Sequence, residues 1–530
     1  MLNKKREILI IGIVLIIQTV IFIIVGANKE YIHMDEAYSL GLASYDKVEI
    51  QDSEDFYDKW HNGEYYEDYL TVNDDEIGQY SQVYINQKND VHPPIYYLLL
   101  RIAMGFNLNS YSKWPGIIIN MIIYIFMTIF TYLILQKLFE GKKWCKEKSI
   151  ILALISSITM ASLTTVIYIR MYALSALNIL ITAFLHIKLY DSKQLKPKLL
   201  VLIGITALIG SLTHYYYLFY LAMLYLMFAI KYLKEKRNKE LIYYTVTMGS
   251  AGLLSLLIFP YSIQHMFFGY RGQGVISKLT NIPQFAESIK EYLKKINLYV
   301  FNDLMYVIAV ALIILVIYKL IKKQKIIENK NLYAKYILFP TLFYFALVAV
   351  ASPWIELRYV MPVCTPIFII MIYYLSELLY NIFKEKTSNT IMIIFLVAIL
   401  ISPIIYKIEP EVAYSSKKEI VNKLGEQLNL PTIYCFNSEN NRFLDDILLF
   451  SILDESYIAR DMEYTQQNIK TIFQNKDISN GIIVFINEGQ ENDKILEKLR
   501  EAIGLESWIY LERLNACDLY MIYGDEYGKK

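Results

Sequence analysis

Ile8 to Val25 reads ILIIGIVLIIQTVIFIIV, a run of 18 residues without a charged side chain. Ile117 to Gln136 forms a second run of this kind, and each is close to the ~20 residues that a helix needs to cross a bilayer. Hydrophobic residues make up 55% of the 530-residue chain, and its mean hydropathy is +0.33. Soluble proteins are roughly 45–50% apolar. The sequence therefore predicts a polytopic membrane protein embedded in lipid.

Runs of this length without strict alternation favour helices over a barrel. We predict eleven spans, at about 8–26, 116–137, 149–168, 172–190, 199–214, 216–233, 241–261, 299–321, 333–351, 360–382 and 389–406. The amphipathic stretch from Pro94 to Phe106 is too short to span, so we expect it to lie along the outer membrane surface.

The distribution of basic residues predicts the orientation of the chain. Of its 52 Lys and Arg, 25 lie in the N-terminal segment and on every second connection between spans. Short cytoplasmic loops retain positive charge. We therefore expect a multi-pass protein of the plasma membrane with a cytoplasmic N-terminus and an extracytoplasmic C-terminus. The formal net charge is +1, and nothing in the sequence supports nucleic-acid binding.

Two segments on the predicted outer side have the composition of soluble protein. The loop at 27–115 is acidic, with 16 Asp and Glu against four Lys between Ala27 and Pro93. Residues 407–530 contain short β-rich runs, at Thr432–Phe436, Gly481–Ile486 and Leu519–Tyr523, and helical patterns at Asn441–Ile452 and Glu491–Ile503. We expect a membrane domain at 1–406 that includes the acidic loop, followed by an α/β domain at 407–530.

The acid pair Asp35-Glu36 follows the first predicted span by about ten residues. A carboxylate at the membrane surface can accept a proton from an attacking hydroxyl or hold a divalent cation. The simpler interpretation is that these are two of many acids in an acidic loop. At the other end of the loop, Asp90-Val91-His92-Pro93-Pro94 places a His beside a proline-initiated helix.

Several cationic or aromatic groups fall at the outer ends of separate predicted spans. Arg170 lies in the turn after the third span and can present a bidentate fork to a phosphate, although snorkelling also explains a lone Arg. The others are His214, Arg271 and the pair Arg358-Tyr359. Their common placement suggests one cavity that opens toward the outer leaflet.

Four motifs together resemble the GT-C glycosyltransferases, most closely the protein O-mannosyltransferase and aminoarabinose-transferase-like group (glycosyltransferase family 39). They are Met-Asp-Glu-Ala at 34–37, Asp-Val-His-Pro-Pro-Ile at 90–95, Arg-Met-Tyr-Ala-Leu at 170–174 and Arg-Tyr-Val-Met-Pro-Val-Cys-Thr-Pro at 358–366. The resemblance covers about residues 1–406 in layout. It implies a GT-C-like transmembrane fold, here followed by an outer α/β domain.

The resemblance also implies an activity. A sugar would pass from a polyprenyl-phosphate carrier to an acceptor on the outer face, in an inverting hexosyl or pentosyl transfer. By motif, Asp35 with Glu36 matches the acid that activates the acceptor or positions a cation. Arg170, Tyr172, Arg358 and Tyr359 match residues near the carrier phosphate, with Arg271 added from its predicted position. His92 lies in the His-Pro-Pro element that shapes the donor site, with Asp90, Pro93 and His214 beside it. The acceptor, protein, lipid or cell-envelope glycan, is unknown. No cofactor is certain; a divalent cation is left open because only some relatives require one.

Two other classes of protein compete with this interpretation. A secondary transporter has a similar number of helices, but transporters place ionisable groups near the midplane. In this chain the predicted midplane is poor in charge, with His186 as the clearest exception, and the notable ionisable residues lie at the outer ends of the spans. A non-enzymatic protein that handles lipid-linked glycans or holds a partner would use the acidic loop and the α/β domain. That alternative gives no reason for Arg, His and Asp groups to share one face.

Overall fold

The computed structural model describes residues 3–30, 32–192, 194–268, 282–323, 332–411, 424–440, 442–514 and 516–524. Contacts along the chain separate it into two compact units. The helical unit comprises Met1–Asn28, Val91–Tyr96 and Gly116–Glu411, and the mixed unit comprises Lys29–Asp90, Tyr97–Pro115 and Val412–Lys530.

The helices are, in chain order, α1 (Lys4–Ala27), α2 (Met34–Ser44), α3 (Gly63–Asp68), α4 (Tyr80–Asn89), α5 (Ile95–Met104), α6 (Trp114–Leu138), α7 (Cys145–Ser157), α8 (Met160–Ile167), α9 (Tyr172–Asp191), α10 (Pro197–Ser211), α11 (Tyr217–Lys234), α12 (Asn238–Ile258), α13 (Ile282–Phe301), α14 (Met305–Ile321), α15 (Leu332–Ala351), α16 (Met361–Ile382), α17 (Glu385–Tyr406), α18 (Ile447–Phe450), α19 (Gln466–Phe473) and α20 (Asn492–Ile503). The strands are β1 (Trp60–Asn62), β2 (Thr432–Phe436), β3 (Glu455–Arg460), β4 (Ile482–Asn487), β5 (Ser507–Arg513) and β6 (Cys517–Tyr523).

The eleven apolar segments predicted as spans all fold as helices. Within the described residues, eight of these helices are long and apolar enough to cross a membrane: α1, α6, α9, α11, α12, α15, α16 and α17. Two bent pairs, α7 with α8 and α13 with α14, raise the number to ten at most. The count therefore falls below the predicted eleven, because α10 has only 15 residues.

The first helix shows how an apolar run is divided between lipid and protein. Its buried positions are Val14, Gln18, Phe22 and Gly26, spaced by four residues along one face of α1. The Gln18 Oε1 accepts a hydrogen bond from the Thr128 hydroxyl of α6 at 2.7 Å. Large apolar side chains elsewhere on α1 remain exposed, as expected of a helix that faces lipid on most sides.

Two breaks interrupt the helices of this unit. The axes of α7 and α8 differ by 58°, and those of α13 and α14 by 98°. On α13, Tyr292, Ile296 and Val300 are buried at four-residue spacing, and the Tyr292 hydroxyl donates to Ser352 Oγ at 2.7 Å. This amphipathic helix lies mainly in the connection between the spans predicted at 241–261 and 299–321.

The mixed unit contains a six-stranded sheet in the order β1-β3-β2-β4-β6-β5. The central β3, β2 and β4 are parallel, and the remaining pairings are antiparallel. All six residues of β4 are buried, as expected of a strand covered on both faces. On one face, Val484 and Ile486 belong to a core with Ile469 of α19 and Leu496 of α20.

The acidic loop contributes one edge of this sheet. β1 pairs antiparallel with β3, with Trp60 opposite Tyr457, and Trp60 Nε1 donates to the Ile472 carbonyl at 3.0 Å. The Tyr66 hydroxyl lies 2.7 Å from Ser456 Oγ. The structure thus divides the chain differently from the predicted boundary at 406–407: most of the loop at 27–115 packs with the C-terminal segment, because backbone pairing and aromatic contacts join them.

The helix predicted to lie on the membrane surface, α5, carries a buried arginine. Arg101 is 3% exposed and donates to the carbonyls of Ser44 at 2.8 Å and Glu76 at 2.7 Å. Leu99 and Ile102, on the same helix, are exposed. One face of α5 is therefore fixed to the mixed unit through its arginine.

Candidate functional site

Asp35 and Glu36 stand in the first turn of α2. His33 caps this helix: its Nδ1 accepts from the Asp35 N–H at 3.1 Å, and Glu36 Oε2 accepts from the His33 N–H at 2.9 Å. This reciprocal pair of hydrogen bonds is a capping box. The sequence therefore folds locally into a helix start that fixes the backbone of both acids.

Glu36 is fully buried in an ion pair. Its Oε2 lies 2.9 Å from Lys29 Nζ, and both side chains have zero exposure. Burial lowers the pKa of the Lys29 ammonium, and the Glu36 carboxylate opposes this change. Because Lys29 and the helix cap hold the carboxylate, Glu36 has the surroundings of a structural residue. This placement does not favour the catalytic role expected for Glu36.

Asp35 is the partly open member of the acid pair. Its side chain is 18% exposed, and Oδ2 lies 3.8 Å from His33 Nδ1. The positive end of the α2 dipole favours a carboxylate at this position. Asp90 belongs to the same unit at the end of α4, where Asn86 donates to the Tyr45 carbonyl at 2.8 Å and fixes α4 to the end of α2.

The helical unit brings most of the other predicted residues together in an aromatic cluster, formed by Tyr168, Tyr172, His214, Tyr216 and Tyr359. The Tyr172 ring is central, with ring centroids at 6.0 Å for Tyr168, 5.5 Å for His214 and 6.4 Å for Tyr359. Tyr216 lies 4.9 Å from His214 and 6.2 Å from Tyr359. Residues from the α8–α9, α10–α11 and α15–α16 connections or the helix starts beside them thus meet at one place.

Two arginines adjoin the aromatic cluster. Arg358 is half-buried; its Nη1 donates to the Tyr168 hydroxyl at 3.3 Å, and its guanidinium lies 5.2 Å from the centre of the Tyr359 ring. Arg170 lies between Tyr168 and Tyr172 in the sequence and is 4% exposed. A guanidinium among aromatic rings combines positive charge with a planar hydrogen-bonding fork, the chemistry that recognises phosphate.

The His-Pro-Pro element lies beside this cluster. The Ile95 N–H donates to the Leu212 carbonyl at 3.2 Å, which fixes the start of α5 against the segment that carries His214. As a result, the rings of His92 and His214 lie 6.3 Å apart. His92, Pro93 and His214 are all buried.

Some predicted residues do not join the cluster, and some of its members were not predicted. Arg271 lies outside the described residues. The sequence analysis did not select Tyr168, although this residue lies two positions before Arg170 and its hydroxyl could have marked it as a candidate. Lys29 carried no such signal, because its partnership with Glu36 depends on the path of the chain between them.

In the part of the chain that the structure describes, no three His, Cys, Asp or Glu side chains are grouped as a metal site requires. We therefore assign no metal ligands.

Comparison with known proteins supports the fold. No protein-family model matches the chain, and no curated protein matches its sequence at a significant level. The crystal structure of ArnT from Cupriavidus metallidurans bound to undecaprenyl phosphate is similar, with a TM-score of 0.50 and 8% identity over 96% of this chain and 97% of that chain. The chain has the GT-C fold. The apo oligosaccharyltransferase of Archaeoglobus fulgidus gives a TM-score of 0.46 and 11% identity over 98% of this chain and 74% of that chain. The similarity to ArnT confirms the predicted fold class, a GT-C-like helical membrane protein with an additional α/β region.

Proposed function

We propose that this chain is a membrane glycosyltransferase that moves a sugar from a polyprenyl-phosphate carrier to an acceptor on the outer face of the plasma membrane. The sugar is a hexose or a pentose, and the transfer inverts its anomeric centre. The acceptor is a protein, a lipid or a cell-envelope glycan. The similarity to an ArnT bound to undecaprenyl phosphate supports the choice of carrier.

The observation that carries this proposal is the aromatic cluster with its two arginines. A sugar linked to phosphate already has a good leaving group, so the enzyme must chiefly stabilise the negative charge that develops on the departing phosphate. Arg358 supplies a fork held by Tyr168 and Tyr359, and Arg170 supplies a second, buried cation. We assign both to the carrier phosphate, with Tyr172, Tyr359, His92 and His214 shaping the donor site.

The acceptor hydroxyl needs a base, and Asp35 is our candidate. Its carboxylate is partly exposed on a helix start that is fixed by hydrogen bonds, whereas Glu36 beside it is buried with Lys29. In the proposed step, the acceptor oxygen attacks the anomeric carbon, its proton passes to Asp35, and the bond to the carrier phosphate breaks.

The transporter alternative relied on ionisable groups near the midplane. His186 is fully buried in α9, where its ring nitrogens lie 2.7 Å from the Thr182 carbonyl and 2.9 Å from the Tyr244 hydroxyl. Both ring nitrogens of His186 therefore have hydrogen-bond partners within the protein. A histidine satisfied in this way gives no support to an ion pathway.

Binding and turnover measured on two variants test the proposal. Arg358→Lys keeps the charge but loses the fork, so we expect undecaprenyl-phosphate affinity to fall at least about tenfold, as loss of one charged hydrogen bond predicts. Asp35→Asn keeps the shape but cannot accept the proton, so turnover should fall by about 10²–10⁴ while carrier binding persists. The measurements are binding of undecaprenyl phosphate and sugar loss from a short-chain polyprenyl-phosphate sugar, with native membranes supplying the acceptor.

Matched controls separate these effects from general changes of charge. Arg237→Lys, before α12, and Asp75→Asn, an exposed acid of the same loop, should behave like the parent protein. Equal carrier affinity in Arg358→Lys and Arg237→Lys would remove Arg358 from the donor site. Equal turnover in Asp35→Asn and Asp75→Asn would pass the role of base to another carboxylate, with Asp90 next in line.

A further inference from the structure

The start of α2 is held by a residue of the C-terminal segment, within the mixed unit. Asp445 Oδ1 accepts from the Met34 N–H at 2.9 Å. Met34 is the first residue of α2 and directly precedes Asp35. The first N–H groups of a helix have no partner inside the helix, so an outside acceptor at this point decides where the first turn lies.

Asp445 is itself rigidly placed. Its side chain has zero exposure, and Oδ2 accepts from Arg442 Nε at 2.9 Å and lies 2.7 Å from Arg442 Nη2. A buried carboxylate is costly unless it is paired and hydrogen-bonded, and this two-pronged contact meets the requirement. The two carboxylate oxygens of Asp445 thus bind different partners: Oδ1 binds the Met34 N–H, and Oδ2 binds Arg442.

The same segment is attached to the sheet. Next to Asp445, the carboxylate of the buried Asp446 accepts a hydrogen bond from Cys517 Sγ at 3.4 Å. Cys517 is the first residue of β6. Phe443 packs against Phe56 and Tyr66 of the acidic loop, with ring centroids at 5.1 and 5.6 Å. A continuous set of contacts therefore runs from the sheet through Asp445 to the backbone of Met34.

The two hydrogen bonds of the helix cap are local. His33 and Glu36 cap α2 from within four residues of one another, and they would form in any α2 that has this sequence. Asp445, by contrast, ties the helix start to a segment 411 residues away in the chain. The local bonds form the turn, and Asp445 sets its position.

We propose that Asp445, oriented by Arg442, is a positioning residue for Asp35, so that the C-terminal α/β segment sets the geometry of the proposed catalytic base. This inference rests on the proposed function of Asp35. Misplacing a reacting group by about 1 Å can cost ~10²-fold in rate, so a small shift of this helix start is sufficient to impair turnover.

Hydrogen exchange and kinetics on the full chain test the proposal together. Asp445→Ala should speed amide exchange in residues 33–38 and lower kcat by about 10²-fold, with the KM for the carrier-linked sugar within about twofold of the parent. Because Asp445 acts through Asp35, the double variant Asp35→Asn/Asp445→Ala should be no slower than Asp35→Asn alone. Asp454→Ala, an exposed acid of the same segment, should change neither exchange nor kcat.

Arg442→Gln is a second variant for the case in which Asp445→Ala does not fold. The Arg442 side chain is 42% exposed and does not itself bind the Met34 N–H, so this substitution disturbs the fold less. It should reproduce the faster exchange and part of the loss in kcat. Normal exchange at 33–38 in both variants, or a double variant slower than Asp35→Asn, would overturn the proposal. If Asp35→Asn alone were fully active, the assignment of the base would fail, while the exchange data would still report whether Asp445 holds the helix start.

Discussion

Neighbouring residues of one motif have opposite surroundings in this protein. Asp35 is partly exposed, whereas Glu36 forms an ion pair with Lys29 in which neither side chain is exposed to solvent. In sequence, the two acids are equivalent candidates for a proton acceptor. The distinction arises only because the chain between Lys29 and Glu36 brings an ammonium onto one of the two carboxylates.

Glu36→Gln should therefore damage the fold of the mixed unit. Removing one partner of a buried pair leaves an uncompensated charge and costs about 3–5 kcal/mol of unfolding free energy. Without Glu36, that carboxylate no longer opposes the effect of burial on Lys29, so the folded pKa of Lys29 falls further. The unfolded state then binds more protons than the folded state, so the variant should regain stability as the pH rises from its folded pKa toward about 10.4.

Thermal unfolding between pH 7 and pH 10 checks both effects, with Asp75→Asn as the control for loss of one negative charge. A Glu36→Gln protein as stable as that control at pH 7 would contradict the buried ion pair.

The sequence proposes Asp35, His92, Arg170 and Arg358 as site residues because each belongs to a short motif at a predicted helix end. It could not identify Asp445, since nothing near that residue in the chain indicates that its carboxylate meets the N–H of Met34. The same limit applies to Lys29. Short motifs indicate candidate functional groups. The residues that hold these groups in place are recognised only once the three-dimensional structure shows their contacts.

At the scale of elements, predictions succeeded where the signal was local. Apolar runs of about 20 residues predicted the helices of the helical unit apart from α13, although the single span predicted at 149–168 folds as two helices, α7 and α8. The apolar runs at 432–436 and 481–486 predicted β2 and β4. β1 was missed because three residues, Trp60 to Asn62, carry no periodic pattern and become a strand only by pairing with β3. α13 was missed because its apolar positions are separated by charged ones.

One glycine of α2 tests how tightly this helix packs. A Cβ at Gly41 would overlap the ring of Tyr69, which is fully buried and donates to the Val48 carbonyl at 3.0 Å. Overpacking costs typically about 1–3 kcal/mol, and the helix propensity of Ala offsets about 1 kcal/mol of this. Gly41→Ala should therefore lower the Tm of the detergent-solubilised protein.

Gly249→Ala provides the matched control, because Gly249 lies in α12 with open space where its Cβ would be placed. There the substitution should leave the Tm unchanged or raise it. A Gly41→Ala protein that follows Gly249→Ala in this measurement would show that Tyr69 can move aside.

At the scale of the whole molecule, the distribution of charge predicts the orientation of the chain in the membrane. The excess of Lys and Arg on alternate connections predicts that Glu54 faces outward and Lys236 inward. In a background where Cys145, the partly exposed native cysteine, is replaced by Ser, Glu54→Cys should react with an impermeant maleimide on intact cells. Lys236→Cys should react only after permeabilisation. The reverse pattern would invert the proposed topology.

The pairing of β1 with β3 has a consequence for biosynthesis. Trp60 meets Tyr457, about 400 residues later in the chain, so translation at roughly 5–20 residues/s separates the synthesis of these partners by about 20–80 s. During that interval the ribosome delivers the intervening membrane helices, while the nascent acidic loop has no sheet to join. Maturation of the mixed unit is thus coupled to the end of translation, and a chain that stalls before residue 455 leaves the loop without its strand partner, as a substrate for chaperones and proteases.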